Sequence, residues 1–472
     1  MVTEPFHGAR VFQSGDDPVF VSFVSTATVG LLVAVDPADL PAGVSIDEPI
    51  HIEKAADAAL LPAAVREEID SVYDQTAGSI IVVMIDEGAD AAALTANAVG
   101  DATALTGIHA LKKATALGMP KPKLLAAPGL TTAGVPDGIA SVAVTTPGTG
   151  YDDTTTVTVS GSTGGQGAVL TPVIGPGGAI DSIIVEKPGY GYSGVLTVTI
   201  SGPGTGGAAT ASAGAVLNAV IAEAQGIAED LRAQFYADGP DGTSEQAVAA
   251  RALIGSKRVC YSDPRVLKSI DGVPTPKSSS TIFAALQSKM DRERGAHWPG
   301  SNVLINGIQG TNRPVLPGSE ASNLNENGVN TIINRGDGFR AWGPMTCAVG
   351  TIWEFVSVVR VADLVNESIE KAFVQFNDRP QSRLALDQMA MAGRAALKSL
   401  EAEGVLLPGS EFGLSSTQSA ADGVQGIVKF AMRYEPPAPI YDIRIAAYRN
   451  PTVAYELLYD SVSGTIDTGD LL

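Results

Sequence analysis

Apolar positions along the chain follow two periods, and the switches between them divide it. Residues 9–35 read ARVFQSGDDPVFVSFVSTATVGLLVAV, two β-rich runs flanking a Ser-Gly-Asp-Asp-Pro turn, and 31–35 is apolar enough for a buried strand. A second apolar run lies at 80–85. Helical spacing follows over 94–117, ended by Gly118 and Pro120, and a strand begins at 124–127 before Pro128-Gly129. Strand, helix, strand in that order is a βαβ unit and predicts parallel pairing.

From 135 to 213 the pattern changes to Gly, Thr, Val and Ser, with an internal repeat at a spacing of 41 residues. SVAVTTPGTGYDDTTTVTVSG (141–161) aligns with SIIVEKPGYGYSGVLTVTISG (182–202). The T-V-T-V runs have the period of half-buried strands, and P-G-x-G-Y reads as a turn. Two hairpin-like copies are expected to pack face to face, because neither buries its apolar side alone. Helical spacing resumes at 215–235, then come the turn DGPDG, a helix at 247–253, a strand at 259–261 and a helix at 281–290. Later, 353–361 (WEFVSVVRV) alternates as a strand does, 363–376 and 382–403 have helical spacing, and 424–434 and 440–448 alternate again. The end, 451–472, is a β-prone run and an acidic tail.

The stretch 291–343 is rich in Asn, Gly and Trp and poor in groups for acid–base work. Asn306-Gly307, Asn327-Gly328 and Asp337-Gly338 supply the positive φ of tight turns. It contains, in order, W-P-x-S-N, I-N-G-I, G-T-x-R-P-V, L-N-E-N-x-V-N-T-I and G-x-R-x-W-G. This series resembles the contractile tail sheath proteins of bacteriophages and related injection machines, and S-T-A-x-V-G-L at 25–31 resembles their N-terminal region. The residues that carry the resemblance are Trp298, Asn302, Asn306, Gly307, Arg313, Pro314, Asn325, Asn327, Asn330, Arg340, Trp342 and Gly343. It covers most of the chain outside 135–213, whose own repeats are more loosely similar to phage structural proteins.

The fold class expected is multidomain α+β or α/β: mixed sheets with flanking helices, an inserted all-β domain and extended terminal strand arms. The domains expected are an arm at 1–30, a discontinuous α/β domain at 31–134 and 214–290, the β insert at 135–213, a C-terminal core at 291–450, and an arm and tail at 451–472. The resemblance implies a virion protein made in the host cytoplasm. Its copies would polymerise helically around an inner tail tube, between baseplate and tail terminator proteins, and contract to drive the tube through the host envelope. It also implies that neighbours exchange terminal arms, each adding strands to the other's sheet. Here the arms would use Val11, Phe12, Val19, Phe20 and Val21 at one end and Val453, Tyr455 and Leu457 at the other.

Composition narrows the rest. A net charge of -20 argues against wrapping nucleic acid. No apolar run reaches the roughly 20 residues of a membrane span, so no membrane insertion is expected, and the N-terminus lacks a secretory layout. Cys260 and Cys347 read as buried free thiols. The four histidines lack metal-ligand spacing, GPGTGG (202–207) lacks the Lys-Ser/Thr of a phosphate loop, and no G-x-S-x-G elbow occurs. No cofactor is expected. The run Asp291 to Arg294 reads as a solvated helix end or an inter-subunit ion pair. Trp298 and Trp342 read as packing anchors. Arg383, Arg394 and Lys398, with Arg379, give one helical region a basic bias suited to an acidic neighbour such as the tube. Two rival classes are an adhesin-type structural protein using the β repeats and an α/β enzyme. Against the enzyme, no nucleophile, base and orienter occur together.

Overall fold

The computed structural model describes residues 21–462 apart from 90, 133–134, 162–164, 191, 193 and 271. The chain forms two compact units, Met1–Ala438 and Pro439–Leu472.

The first unit begins with β1 (Val29–Val35), β2 (Pro49–Ile52), α1 (Ala63–Tyr73), β3 (Ile80–Asp86) and α2 (Ala91–Val99). A 3₁₀ turn (Gly107–Lys112), α3 (Lys113–Ala116) and β4 (Leu124–Ala126) follow. The helix expected over 94–117 is therefore broken. Gly100 and Gly107 take φ of 69° and 59° and pack backbone to backbone, which leaves no room for a Cβ on either.

Next come six strands with no helix between them: β5 (Val135–Thr146), β6 (Thr156–Gly161), β7 (Gln166–Ile174), β8 (Ile180–Tyr190), β9 (Leu196–Ser201) and β10 (Ala208–Val216). The chain continues through α4 (Ala219–Leu231), β11 (Gln234–Asp238), α5 (Ser244–Arg251) and β12 (Val259–Ser262). A hairpin, β13 (Val266–Ile270) and β14 (Val273–Lys277), precedes α6 (Ser279–Glu293), β15 (Gly310–Thr311) and α7 (Ser319–Glu326). Then come β16 (Val329–Asn334), β17 (Phe339–Trp342), α8 (Val356–Phe373) and α9 (Arg383–Ala402). The unit closes with β18 (Glu411–Leu414), α10 (Ala420–Val424) and β19 (Phe430–Arg433). The second unit holds α11 (Pro451–Asp460).

The main sheet has eight strands in the order β17-β16-β12-β11-β4-β1-β3-β2. It is parallel from β16 to β3 and antiparallel at both edges. The predicted parallel pairing is found, with β3 on one side of β1 and β4 on the other. Strand order reverses at β1, giving a doubly wound layout with helices on both faces. Leu32, Ile81, Phe235 and Tyr261 pack under α2, α4, α5 and α7. Leu31, Val33, Met84 and Tyr236 pack under α1 and α6. This explains why β1 and β3 are apolar throughout. Both cysteines are free and buried, in cores on opposite faces, and burial pushes the Cys260 thiol up to about 12.

The insert has its own apolar cluster, around Ile139, Tyr151, Val157, Leu170, Ile180 and Tyr192. Shifting by the 41-residue repeat carries β5, β6 and β7 onto β8, β9 and β10. The pairs β5–β10 and β7–β8 exchange under this shift, and Thr158 lies opposite its own equivalent, Thr199. The insert is a pseudo-two-fold pair of three-stranded units. Tyr151 and Tyr192 play matching parts: their hydroxyls accept from the backbone N–H of Gly207 at 2.9 Å and of Ala168 at 3.3 Å.

Five expectations change. Residues 353–361 alternate but lead into α8, because Val358, Val361 and the later Val365 also fall at i, i+3 and i+7, and burial favours the helix over β-branched propensity. The helix expected to reach Phe235 stops at Leu231, where Arg232 turns left-handed at φ 48°, and Phe235 enters β11. The C-terminal arm expected as a strand, with Val453, Tyr455 and Leu457, is α11. Pro451 is pre-set for a first helical position, and Ala454, Glu456, Leu457 and Leu458 favour continuation. Residues 440–448 form no strand, and in 424–434 only β19 does. The boundary expected at 291 also falls inside α6, and β16 and β17 beyond it extend the main sheet.

Candidate functional site

The stretch 291–343 works as a set of joints that fasten one edge of the sheet. Gln287, on α6, donates to the Trp298 carbonyl at 3.0 Å and accepts from the Gly300 N–H at 2.8 Å. Trp298 is exposed rather than a buried anchor, with the Arg294 guanidinium 4.7 Å from its ring centroid. Asn302 sits at φ 57°, donates its N–H to Ala341 O at 2.7 Å and accepts from Arg340, which also pairs with Asp337 at 2.7 Å. Asn306 and Gln75 exchange two backbone-to-side-chain bonds of 2.8 and 2.9 Å, and a Cβ on Gly307 would strike Asp74. Arg313, just before exposed Pro314, reaches Asp263 at 2.7 Å, Glu320 at 2.8 Å and Ser244 at 3.1 Å.

Asn325, its amide nitrogen toward the carbonyls of Val329 and Trp342, donates to both at 3.0 Å. Asn327 closes α7 on Asn323 O at 2.8 Å. Asn330 donates to Met345 O and accepts from its N–H, both at 2.9 Å. Gly343 is required at φ 127°, where a Cβ would meet the side chains of Asn325 and Asn330. Trp342 packs partly buried on the sheet core beneath Arg335. These asparagines replace ladder bonds where the strands diverge, so the motif specifies a rigid edge.

A second feature is an ionic layer under α8. Arg360, Asp363, Glu367 and Glu370 recur at helical spacing on one face. Arg360 pairs with Asp291, whose side chain is fully buried, and donates to Thr26 O at 2.9 Å. Asp291 is therefore an internal partner, neither a solvated helix end nor an inter-subunit contact. Asp363 takes Arg258 at 3.0 Å, and Arg258 also holds Glu229 at 2.6 Å. Glu367 receives Lys123 and, at 3.1 Å, Lys121, while Glu370 receives Arg232 at 2.5 Å. Burial pushes the Lys123 ammonium down to about 8. The sequence signal was present: four charges at i, i+3, i+7 and i+10 inside an apolar run, obscured by the alternation before them.

Glu68, on α1, is a buried carboxyl that accepts from Thr281 Oγ1 at 2.6 Å, and burial raises it to about 7. The folded state thus holds a proton that the unfolded chain releases near 4.5. Its contribution is complete below pH 4.5 and is lost as pH rises through 7. Glu68→Gln is expected to leave stability at pH 5 nearly unchanged and to raise it at pH 8 by roughly 3 kcal/mol. Urea midpoints at the two pH values measure this, and an equal effect at both would contradict it.

The basic residues of α9 are mostly engaged. Arg394 donates to Phe412 O at 2.9 Å. Lys398 pairs with Glu401 at 2.7 Å, and it and Ser410 hold that carboxyl down at about 2. Arg383 is 96% exposed, 3.7 Å from Asp387. Beside α9, β18 and β19 form a two-stranded sheet with both outer edges unpaired among the described residues. Stacked Phe412 and Phe430, 5.3 Å apart, and Phe373 fix it to α8. Val21 packs half-buried against this cluster, while Val11, Phe12, Val19 and Phe20 lie outside the described residues. In 440–448, Ile440, Ile443, Ile445 and Tyr448 are all exposed. Among the described residues no group of three His, Cys, Asp or Glu could hold a metal, and no helix is long and apolar enough to cross a membrane.

The family model of the phage tail sheath protein central domain matches residues 202–347, which include the whole motif series. A putative prophage major tail sheath protein of Pseudomonas aeruginosa is 34% identical over 236 residues, 48% of this chain and 61% of that protein. The tail sheath protein of Burkholderia phage BcepMu is 30% identical over 209 residues, 40% of this chain and 44% of its own length. The matches thus span about half to three-fifths of these relatives. The helical sheath of the anti-feeding prophage in its contracted state has the same fold, with a TM-score of 0.58 at 17% identity over 94% of this chain and 99% of that one. The motif series thus lies inside the stretch that matches the phage tail sheath central domain, and the fold is shared with the contracted anti-feeding prophage sheath along nearly the whole length.

Proposed function

We propose that this protein is the subunit of a contractile tail sheath, polymerising helically around an inner tail tube and contracting to drive the tube through a host envelope. The observation that carries this reading is the two-stranded β18–β19 sheet, whose outer edges are both unpaired among the described residues. Open edges are templates for further strands. Strands supplied by neighbouring copies, from the N-terminal run with Val21 and from 440–448, would satisfy them. Such a contact is heterologous and non-closing, and so generates a helix of subunits. The remaining partners would be the tube, the baseplate and the tail terminator, within the virion. Of the basic residues on α9, Arg383 and the solvent-facing part of Lys398 remain for an acidic tube surface. The arrangement is mechanical and needs no catalytic group.

The insert stands apart from this role as an independent β domain on the outer surface. Its ends meet, with Val135 paired opposite Val216, so a short Gly-Ser joint can replace 135–216 without stretching the sheet. Full-length protein and the deletion variant are both expected to form tubes in negative-stain images. Monodisperse globules from the full-length chain would remove the sheath reading. An unfolded deletion variant would show that the insert is part of the core.

A further inference from the structure

The insert carries a groove that the sheath role does not use. Among the described residues β6 and β7 pair at one position, Val157 opposite Leu170, while β6–β9 and β7–β8 pair along their lengths. The two strands splay, and a cavity of about 510 Å³ opens between the turn before β6 and the middle of β7. Asp152, Asp153 and Thr156 form one rim, Thr171 and Pro172 the other, and buried Val157 and Leu170 the floor. The volume is in the range of small-molecule sites.

The rim is held in place by its own bonds. Asp152 Oδ1 accepts from Thr154 N at 3.0 Å and from Thr154 Oγ1 at 2.6 Å, and Asp152 N donates to Thr155 Oγ1 at 3.2 Å. That leaves the exposed Asp153 carboxylate at the space, beside Thr156, whose Oγ1 donates to Ser201 O at 3.4 Å. No cation lines it, so an anionic ligand would meet only repulsion. One carboxylate is already engaged in the turn, which leaves too little negative charge to select a polyamine. Pro172 removes a backbone donor from the β7 wall, so an added strand would lack a continuous ladder. The surroundings are also uncharged and hydroxylated: six of the 82 residues in 135–216 carry charge, and Thr158, Ser160, Thr197, Thr199 and Ser201 are exposed on the same sheet. Hydroxyl and carboxylate rims over an aliphatic floor match a ligand with paired hydroxyls on its edge and C–H groups on its face. We propose that this groove binds a neutral saccharide, with Asp153 accepting from adjacent hydroxyls of one hexose and Val157 and Leu170 lying beneath the ring.

The repeat supplies a control. The second copy has Ser193 and Gly194 where the first has Asp152 and Asp153, so the unit folds without these carboxylates. The test is calorimetric titration of the full chain with maltotetraose, cellotetraose and chitotetraose. At least one is expected to bind, with an affinity unaffected by added salt. D152S/D153G and T171V are each expected to weaken that binding about tenfold or more, with melting unchanged. The proposal is overturned if none of the three binds, if both variants bind like the parent, or if affinity falls as salt rises. None of these outcomes depends on polymerisation.

Discussion

A chain ending at Ala438 is expected to melt as the full-length protein does and to form no tubes. All four buried apolar clusters are built from residues before this point, the last contributor being Tyr434. Removing 439–472 therefore takes nothing from those cores. What it removes is the alternating 440–448 segment and α11, whose Val453, Tyr455, Leu457, Leu458 and Tyr459 are all exposed. Each strand bond such a segment makes with a neighbour contributes only about 0.5–1.5 kcal/mol. Repeated for every subunit along a helix, these bonds decide whether the polymer exists. Melting curves beside negative-stain images separate the roles: normal tubes would refute strand exchange by this segment, and a lowered transition would place it in the subunit's own fold. A further truncation after Asp460 keeps both the segment and α11 and is expected to polymerise.

The second large effect is expected at the ion pair between Arg360 and Asp291, with 4% and 0% of the side chains exposed. Arg360→Met leaves the Asp291 carboxylate buried with the Gln287 amide, at 2.8 Å, and the Thr26 hydroxyl as neutral donors and no cation. Losing one partner of such a pair costs about 3–5 kcal/mol, whereas replacing both with apolar groups of similar volume is often close to neutral. Urea unfolding should therefore show a large loss for Arg360→Met and recovery of most of it in Arg360→Met/Asp291→Leu. A single variant within about 1 kcal/mol of the parent would mean that the layer under α8 is open to water in solution.

How much of this was legible in the chain differs element by element. The unbroken apolar runs of β1 and β3, with strand–helix–strand order, were enough for a parallel sheet, because only a strand buried on both faces is apolar at successive positions. The 41-residue repeat made the strands from β5 to β10 legible, since they are local and their turns need glycine. The motif series 298–343 carried the resemblance to tail sheath proteins, but its asparagines are joints whose partners, Gln75, Tyr261 and Met345, are distant or unremarkable in sequence.

Tertiary structure alone decided the rest. The run 353–361 fits a strand and a helix equally by local pattern, and the cationic partners waiting at Lys123, Arg232 and Arg258 favour the helix, which puts Asp363, Glu367 and Glu370 on one face. Arg394 looks like a free cation in sequence, but Phe412 O holds it, because β18 folds back onto α9, while Lys398 meets Glu401 three positions on along the same helix. Periodicity reports which face of an element is apolar. It does not report what that face meets, and burial against a particular neighbour is what fixes the state of an ambiguous segment and the charge of a buried group.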